Sequence, residues 1–82
     1  MAKEGRRAQE FFSQADIFPK RFSGQREELV IINDGTADLT FNAGGITFTL
    51  KPGEVFDEEV NPFDSINVTA TGAFRGYVRE GY

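Results

Sequence analysis

The side chains that most often carry catalysis are missing or isolated in this chain. Its 82 residues include no histidine and no cysteine, so the usual general base near neutral pH and the thiol nucleophile are both absent. Serine occurs at Ser13, Ser23 and Ser65, and none lies in the Gly-x-Ser-x-Gly context of a nucleophilic serine. We therefore predict no catalytic residues and no enzyme activity.

A few residues have side chains or spacing that could suit a metal ion or a phosphate-containing cofactor, but their arrangement argues against such a site. Asp57, Glu58 and Glu59 carry oxygen ligands that suit Ca²⁺. Consecutive side chains of an extended strand point to opposite faces, so a solvated edge strand is the favoured interpretation. Gly44-Gly45 separates two strand-like segments and opens no helix, which argues against a phosphate-binding loop. We predict no metal and no cofactor.

A candidate ligand-binding surface lies near the end of the chain. Arg75, Tyr77 and Arg79 alternate with apolar or small residues, so a strand presents all three on one face. Such a face suits a sugar, an acidic partner or a phosphate. It also suits simple pairing of the arginines with nearby carboxylates, which stabilises a sheet by a few tenths of a kcal/mol per pair.

The first 26 residues are rich in phenylalanine, whereas a disordered linker would be poor in aromatic residues. We predict that these phenylalanines contact protein, either by folding over this chain's own sheet or by docking on a neighbouring subunit. The predicted interaction residues are Phe11, Phe12, Phe18 and Phe22.

Spacing and charge separate this leader from the rest. Ala8, Phe11, Phe12 and Ala15 follow the i, i+3, i+4, i+7 pattern of a short amphipathic helix, which must end before Pro19. Residues 1–26 carry six basic and three acidic groups, a net of +3, whereas residues 27–82 carry three and ten, a net of −7. We predict an N-terminal arm over 1–26 and a separate body over 27–82.

The body has the pattern of an all-β domain. Apolar residues alternate with polar ones in several short runs separated by predicted turns. Three of these turns are a tight hairpin at Asn33-Asp34-Gly35 and turns at Ala43-Gly44-Gly45 and Lys51-Pro52-Gly53. We predict about six antiparallel strands in a small sandwich or barrel, with an edge strand over 54–60, a turn over 61–64 and a further strand from residue 66. The predicted core residues are Leu39, Phe41, Ile46, Phe48 and Leu50. So small a body without cysteine is expected to gain stability by oligomerising or docking.

Three segments carry a resemblance to a known class of proteins. They run over residues 32–40 (Ile-Asn-Asp-Gly-Thr-Ala-Asp-Leu-Thr), 46–54 (Ile-Thr-Phe-Thr-Leu-Lys-Pro-Gly-Glu) and 66–78. Together they resemble small β-sandwich modules in virion structural proteins of tailed bacteriophages and prophages of Gram-positive bacteria. The resemblance covers about residues 28–79. It implies a head, connector, tail or fibre protein that is made in the host cytoplasm and assembled in repeated copies in the virion.

These observations favour a non-enzymatic virion protein that oligomerises or docks on capsid, connector or tail through its arm. The expected partners are copies of itself and other virion proteins. The alternative is a carbohydrate-binding or cell-surface-binding module of a phage fibre or adhesin. Membrane and nucleic-acid partners are not expected, because the chain has no run of about 18 apolar residues and its body would repel phosphate.

Overall fold

The computed structural model describes residues 7–80, in which all the regular elements are β-strands. They are β1 (Ala8–Ser13), β2 (Lys20–Asn33), β3 (Leu39–Ala43), β4 (Ile46–Leu50), β5 (Val55–Thr69) and β6 (Phe74–Arg79). Neighbouring strands are antiparallel and follow one another across a single sheet in the order β1-β6-β2-β5-β3-β4. The predicted all-β fold with about six antiparallel strands is therefore confirmed.

The predicted N-terminal helix is wrong, because residues 8–13 form the edge strand β1, paired with β6. The ladder runs from Gln9 opposite Val78 to Phe12 opposite Gly76, so two residues, Glu10 and Phe11, oppose one. This β-bulge interrupts the strand alternation and spaces the apolar residues as a helix would. A helix of two to three turns is marginal in water, whereas β6 offers a free edge for pairing.

Glu10 occupies the bulge with a left-handed backbone, φ = 52°. Its carboxylate accepts hydrogen bonds from the Ser23 amide, at 3.1 and 3.2 Å, and from the Ser23 hydroxyl, at 2.7 Å, and it pairs with the guanidinium of Arg26. Burial raises the pKa of Glu10, but these hydrogen bonds and the Arg26 charge outweigh it and lower the pKa below the usual 4.5. The carboxylate thus ties β1 to β2 while ionised.

The predicted boundary between residues 26 and 27 lies inside β2, a continuous strand of 14 residues. Leu29–Asn33 pairs with β6 on one side, and the strand pairs with β5 along most of its length on the other. A register shift between Arg21 and Arg26 accommodates the segment that meets Glu10. The leader and the body therefore share one sheet.

The expected turn at residues 61–64 is absent, because 55–69 is one strand of 15 residues. Pro62 lies where the register moves from Glu28 opposite Glu59 to Arg26 opposite Phe63. A bulge tolerates proline because its missing N–H is not needed for the ladder there. The predicted strand over 54–60 and the one from residue 66 form the single strand β5, which lowers the predicted number by one. The unexpected strand β1 raises it by one, so the number remains six.

Two short turns agree with the sequence prediction. Gly44 and Gly45, with φ of 61° and 80°, join β3 to β4 as a two-residue hairpin loop with both φ values positive. Gly53 has φ = 82° after Pro52, as a type II turn requires, and the Glu54 amide donates to the Lys51 carbonyl at 3.0 Å.

Asn33 does not begin the predicted tight hairpin. Its buried side chain instead stabilises the connection from β2 to β3 through hydrogen bonds. The Nδ2 group donates to the carbonyls of Ala37, at 3.0 Å, and Leu50, at 3.1 Å. The Oδ1 atom accepts from the Gly35 amide at 2.9 Å. Because these hydrogen bonds use both amide N–H donors and the oxygen, Asn33 is buried at little desolvation cost.

The core draws on every strand. Leu39, Phe41 and Leu50 are buried as predicted, and Phe48 is half-buried against the core. Ile46 is 45% exposed, so its assignment to the core is wrong. The buried cluster also contains Phe12, Phe22, Leu29, Ile31, Ala43, Phe63, Ile66, Val68, Phe74 and Val78.

Gly76 provides a test of how β1 joins this core. A Cβ atom at this position would lie 2.5 Å from the Phe12 ring and 2.5 Å from the Val30 carbonyl oxygen. We expect Gly76→Ala to lower the free energy of unfolding by about 1–3 kcal/mol through overpacking. Gly24→Ala is the matched control, since nothing lies within 4 Å of its Cβ position. Urea denaturation measures both, and equal stabilities would contradict the packing of Phe12 on Gly76.

Candidate functional site

The four predicted interaction phenylalanines have different environments. Phe12 and Phe22 are 3% and 5% exposed, and Phe18 is half-buried against the same core. Phe11 is 66% exposed. Of the two interpretations of the leader, packing on this chain's own sheet describes three of the four residues, and Phe11 remains available to a partner.

Aromatic contacts account for the burial of the three. The Phe12 ring centroid lies 6.0 Å from that of Phe18, 6.2 Å from Phe22 and 6.5 Å from Phe74. Phe22 packs on Phe63 at 5.9 Å. Removing these rings from the core would cost about 1.5–3 kcal/mol for each buried side chain, so they stabilise the fold before they can contact another molecule.

The three residues of the candidate ligand-binding surface lie on β6, next to one residue of β1. Arg75, Tyr77 and Arg79 of β6 lie beside Phe11, whose ring centroid is 5.1 Å from that of Tyr77. We call the surface formed by Phe11, Ile32, Arg75, Tyr77 and Arg79 the β1–β6 face. It contains a pocket of about 180 Å³ lined by Phe11, Phe12, Ile32, Arg75, Gly76 and Tyr77.

Arg75 is held at the rim of this face by Asp34. Its Nε donates to Oδ2 at 2.7 Å and its Nη2 to Oδ1 at 3.3 Å, a two-pronged pairing. The hydrogen bond to Asp34, followed by the Asp34 charge, raises the pKa of Arg75. The pair is exposed to solvent, so it orients the guanidinium more than it stabilises the fold.

Arg79 is more enclosed, with 15% of its side chain exposed. Its Nη1 donates to Asp57 at 2.9 Å and lies 3.8 Å from a carboxylate oxygen of the fully buried Glu28. Its guanidinium carbon lies 5.6 Å from the Tyr77 ring centroid, within cation–π range. The hydrogen bond to Asp57 raises the pKa of Arg79 despite partial burial, helped by the Asp57 charge.

These contacts determine what the β1–β6 face offers. Asp34 and Asp57 neutralise the two arginines, so the face presents aromatic surface edged by neutralised charge rather than cations free for a phosphate. Within residues 7–80 no three carboxylates are grouped closely enough to hold a metal ion. The same residues form no helix that is long and apolar enough to cross a membrane.

A second concavity lies between β4 and the first half of β5. We call it the β4–β5 groove; its volume is about 370 Å³, and it is lined by Ile46, Phe48, Phe56, Glu58, Glu59, Val60 and Asn61. Sequence reasoning assigned Ile46 to the core and Glu58 and Glu59 to a solvated strand edge. The groove was not predicted from the sequence. The sequence feature that could have indicated it is the mixture of apolar and acidic residues over 54–60, which does not follow simple alternation.

The two arginines of β6 differ in a way that stability measurements can test. Arg79→Met removes a largely buried guanidinium and its hydrogen bond to Asp57, and we expect a loss of about 1.5–3 kcal/mol in the free energy of unfolding. Arg75→Met breaks an exposed pair and should change stability little. Denaturation of both variants at neutral pH makes the comparison, and equal losses would contradict the buried role of Arg79.

Comparisons with family models, with curated proteins and with solved structures give no match to this chain.

Proposed function

We propose that this chain is a non-enzymatic structural protein of a tailed-phage virion that docks on other subunits through its β1–β6 face. The partners are further copies of the chain or other virion proteins on the capsid, connector or tail. The observation that carries the docking surface is Phe11, an aromatic ring 66% exposed and packed against Tyr77. The virion location rests on the resemblance of residues 28–79.

The energetics of Phe11 support a docking role. Covering an exposed phenylalanine contributes about 1.5–3 kcal/mol, and aromatic residues dominate the binding energy of protein interfaces. Tyr77 supplies a second ring beside it, and Arg79 fixes that ring through its cation–π contact. Because Asp34 and Asp57 hold the neighbouring guanidinium groups, little side-chain entropy is lost when a partner covers the face.

The scaffold that presents this face is, in our proposal, a small sandwich or barrel. The Phe56 ring of the first half of β5 packs on the β3–β4 hairpin, 5.0 Å from the Phe41 ring and 4.9 Å from the Phe48 ring. The second half of β5 pairs directly with β3. A strand that contacts the same hairpin by pairing and by packing is typical of a sheet folded over its own core.

A carbohydrate or cell-surface ligand is the alternative for the same face. The observation in its favour is the aromatic pair Phe11–Tyr77 next to the guanidinium of Arg75, since sugars pack on aromatic rings and accept hydrogen bonds from arginine. Host cell-wall binding that is lost in Tyr77→Ala, while the protein stays monomeric, would favour this alternative.

Phe11→Ser separates docking from folding. The side chain is largely exposed, so the variant should stay folded while self-association or binding to a virion subunit weakens about 10- to 30-fold. Ile17→Ser is the matched control, because Ile17 is 88% exposed and lies outside the β1–β6 face. Sedimentation velocity over a concentration series measures self-association, and titration with candidate virion subunits measures docking.

A wild-type protein that stays monomeric and binds none of the virion subunits would overturn the proposal. Equal weakening by Phe11→Ser and Ile17→Ser would instead remove the β1–β6 face as the docking surface.

A further inference from the structure

We propose that the β4–β5 groove binds an extended peptide segment of a partner protein, in which apolar residues alternate with lysine or arginine. This site is separate from the β1–β6 face and does not depend on the function proposed for that face. Its elements are two strand edges, an aromatic floor and an acidic rim.

The strand edges come first. β4 is the last strand of the sheet and pairs only with β3 among the described strands, so its other edge is open. β5 pairs with β2 over Val55–Glu59, whereas its opposite edge meets β3 from Asn67 to Thr69. An open edge carries backbone N–H and C=O groups that can pair with an added extended chain.

The aromatic floor gives the groove a site for apolar side chains. The Phe48 and Phe56 ring centroids are 4.9 Å apart, and Phe41 supports both rings from the buried core. Ile46, which is 45% exposed, and Val60 complete the apolar lining. A volume of about 370 Å³ falls within the range of about 300–1,000 Å³ found for ligand pockets.

The ends of the groove limit the length of its occupant. At one end Gly44 lies against Asn61, where an added Cβ would be 2.7 Å from the Asn61 carbonyl oxygen. At the other end the Lys51–Glu54 turn joins β4 to β5. Between them lies Ile46–Leu50, and five strand residues span about 17 Å. The groove therefore fits a segment of about five to seven residues.

The acidic rim determines the charge of the occupant. Glu58 lies two residues after Phe56, on the same strand face, and Glu59, the next residue, lies on the opposite face. Both are exposed, and within residues 7–80 neither forms an ion pair. When the apolar side chains of an extended segment pack on the aromatic floor, its alternate basic side chains point to the opposite face, where Glu59 lies.

The same charges argue against a second copy of this chain as the occupant. Symmetric pairing of two grooves would bring Glu58 and Glu59 of one copy towards those of the other, and like charges in an interface cost binding energy. A basic segment from a different protein meets no such repulsion.

A labelled peptide tests the proposal directly. The probe is fluorescein-Lys-Val-Lys-Leu-Lys-Val-Lys, followed by fluorescence anisotropy with the full chain. We expect a Kd of about 10–100 μM, and weakening of at least tenfold in Glu59→Lys. Asp38→Lys is the matched control, because Asp38 is an exposed acid outside the groove and its replacement changes net charge equally. That variant should bind within about twofold of the wild type, after allowance for net charge.

Two further measurements distinguish specific binding in the β4–β5 groove from general charge attraction. A peptide of the same composition with its four lysines together, Lys-Lys-Lys-Lys-Val-Leu-Val, should bind much more weakly because its apolar residues no longer alternate. Phe11→Ser should bind the probe normally, which keeps this result distinct from the role of the β1–β6 face. Equal binding of both peptides, equal effects of Glu59→Lys and Asp38→Lys, or dimerisation of the free chain that Glu59→Lys abolishes would overturn the proposal.

Discussion

The contact between the Phe12 ring and the backbone at Gly76 is the constraint on which this fold depends. Because Gly76 has no side chain, the Phe12 ring of β1 packs directly on the backbone of β6. In this position the ring contacts Phe18, Phe22 and Phe74. The residues after position 26 are too few to bury a large core by themselves. The leader supplies the missing apolar surface, and its β-bulge leaves Phe11 on the opposite face, where the proposed docking surface lies.

Much of the sheet could be predicted because local chemistry determines it. The Gly44-Gly45 and Pro52-Gly53 turns follow from backbone preferences, and alternation places Leu39 and Phe41 in the core. The bulge in β1 could not be predicted, since Glu10 holds a positive φ through hydrogen bonds with residues 13 and 16 positions later. Long-range contacts of this kind override a local helical pattern.

The candidate site also has features that the sequence predicts and features that depend on long-range contacts. Alternation was sufficient to place Arg75, Tyr77 and Arg79 on one face. Their partners Asp34 and Asp57 lie 41 and 22 positions away, so the neutralised charge of the face depends on strand order. The exposure of Phe11 and the β4–β5 groove likewise depend on which strands are neighbours, and a sequence pattern does not determine that order.

The pairing of β1 with β6 has a consequence for folding during synthesis. Ala8 lies opposite Arg79, and the Glu80 amide donates to the Arg7 carbonyl at 2.9 Å. Of the strands within residues 7–80, the first to be synthesised therefore pairs with the last, and such long-range closure is slow. Until β6 has emerged, Phe12 lacks its contacts with Phe74 and Gly76, and the nascent chain carries a partly exposed aromatic segment that a chaperone or an assembly partner can bind first.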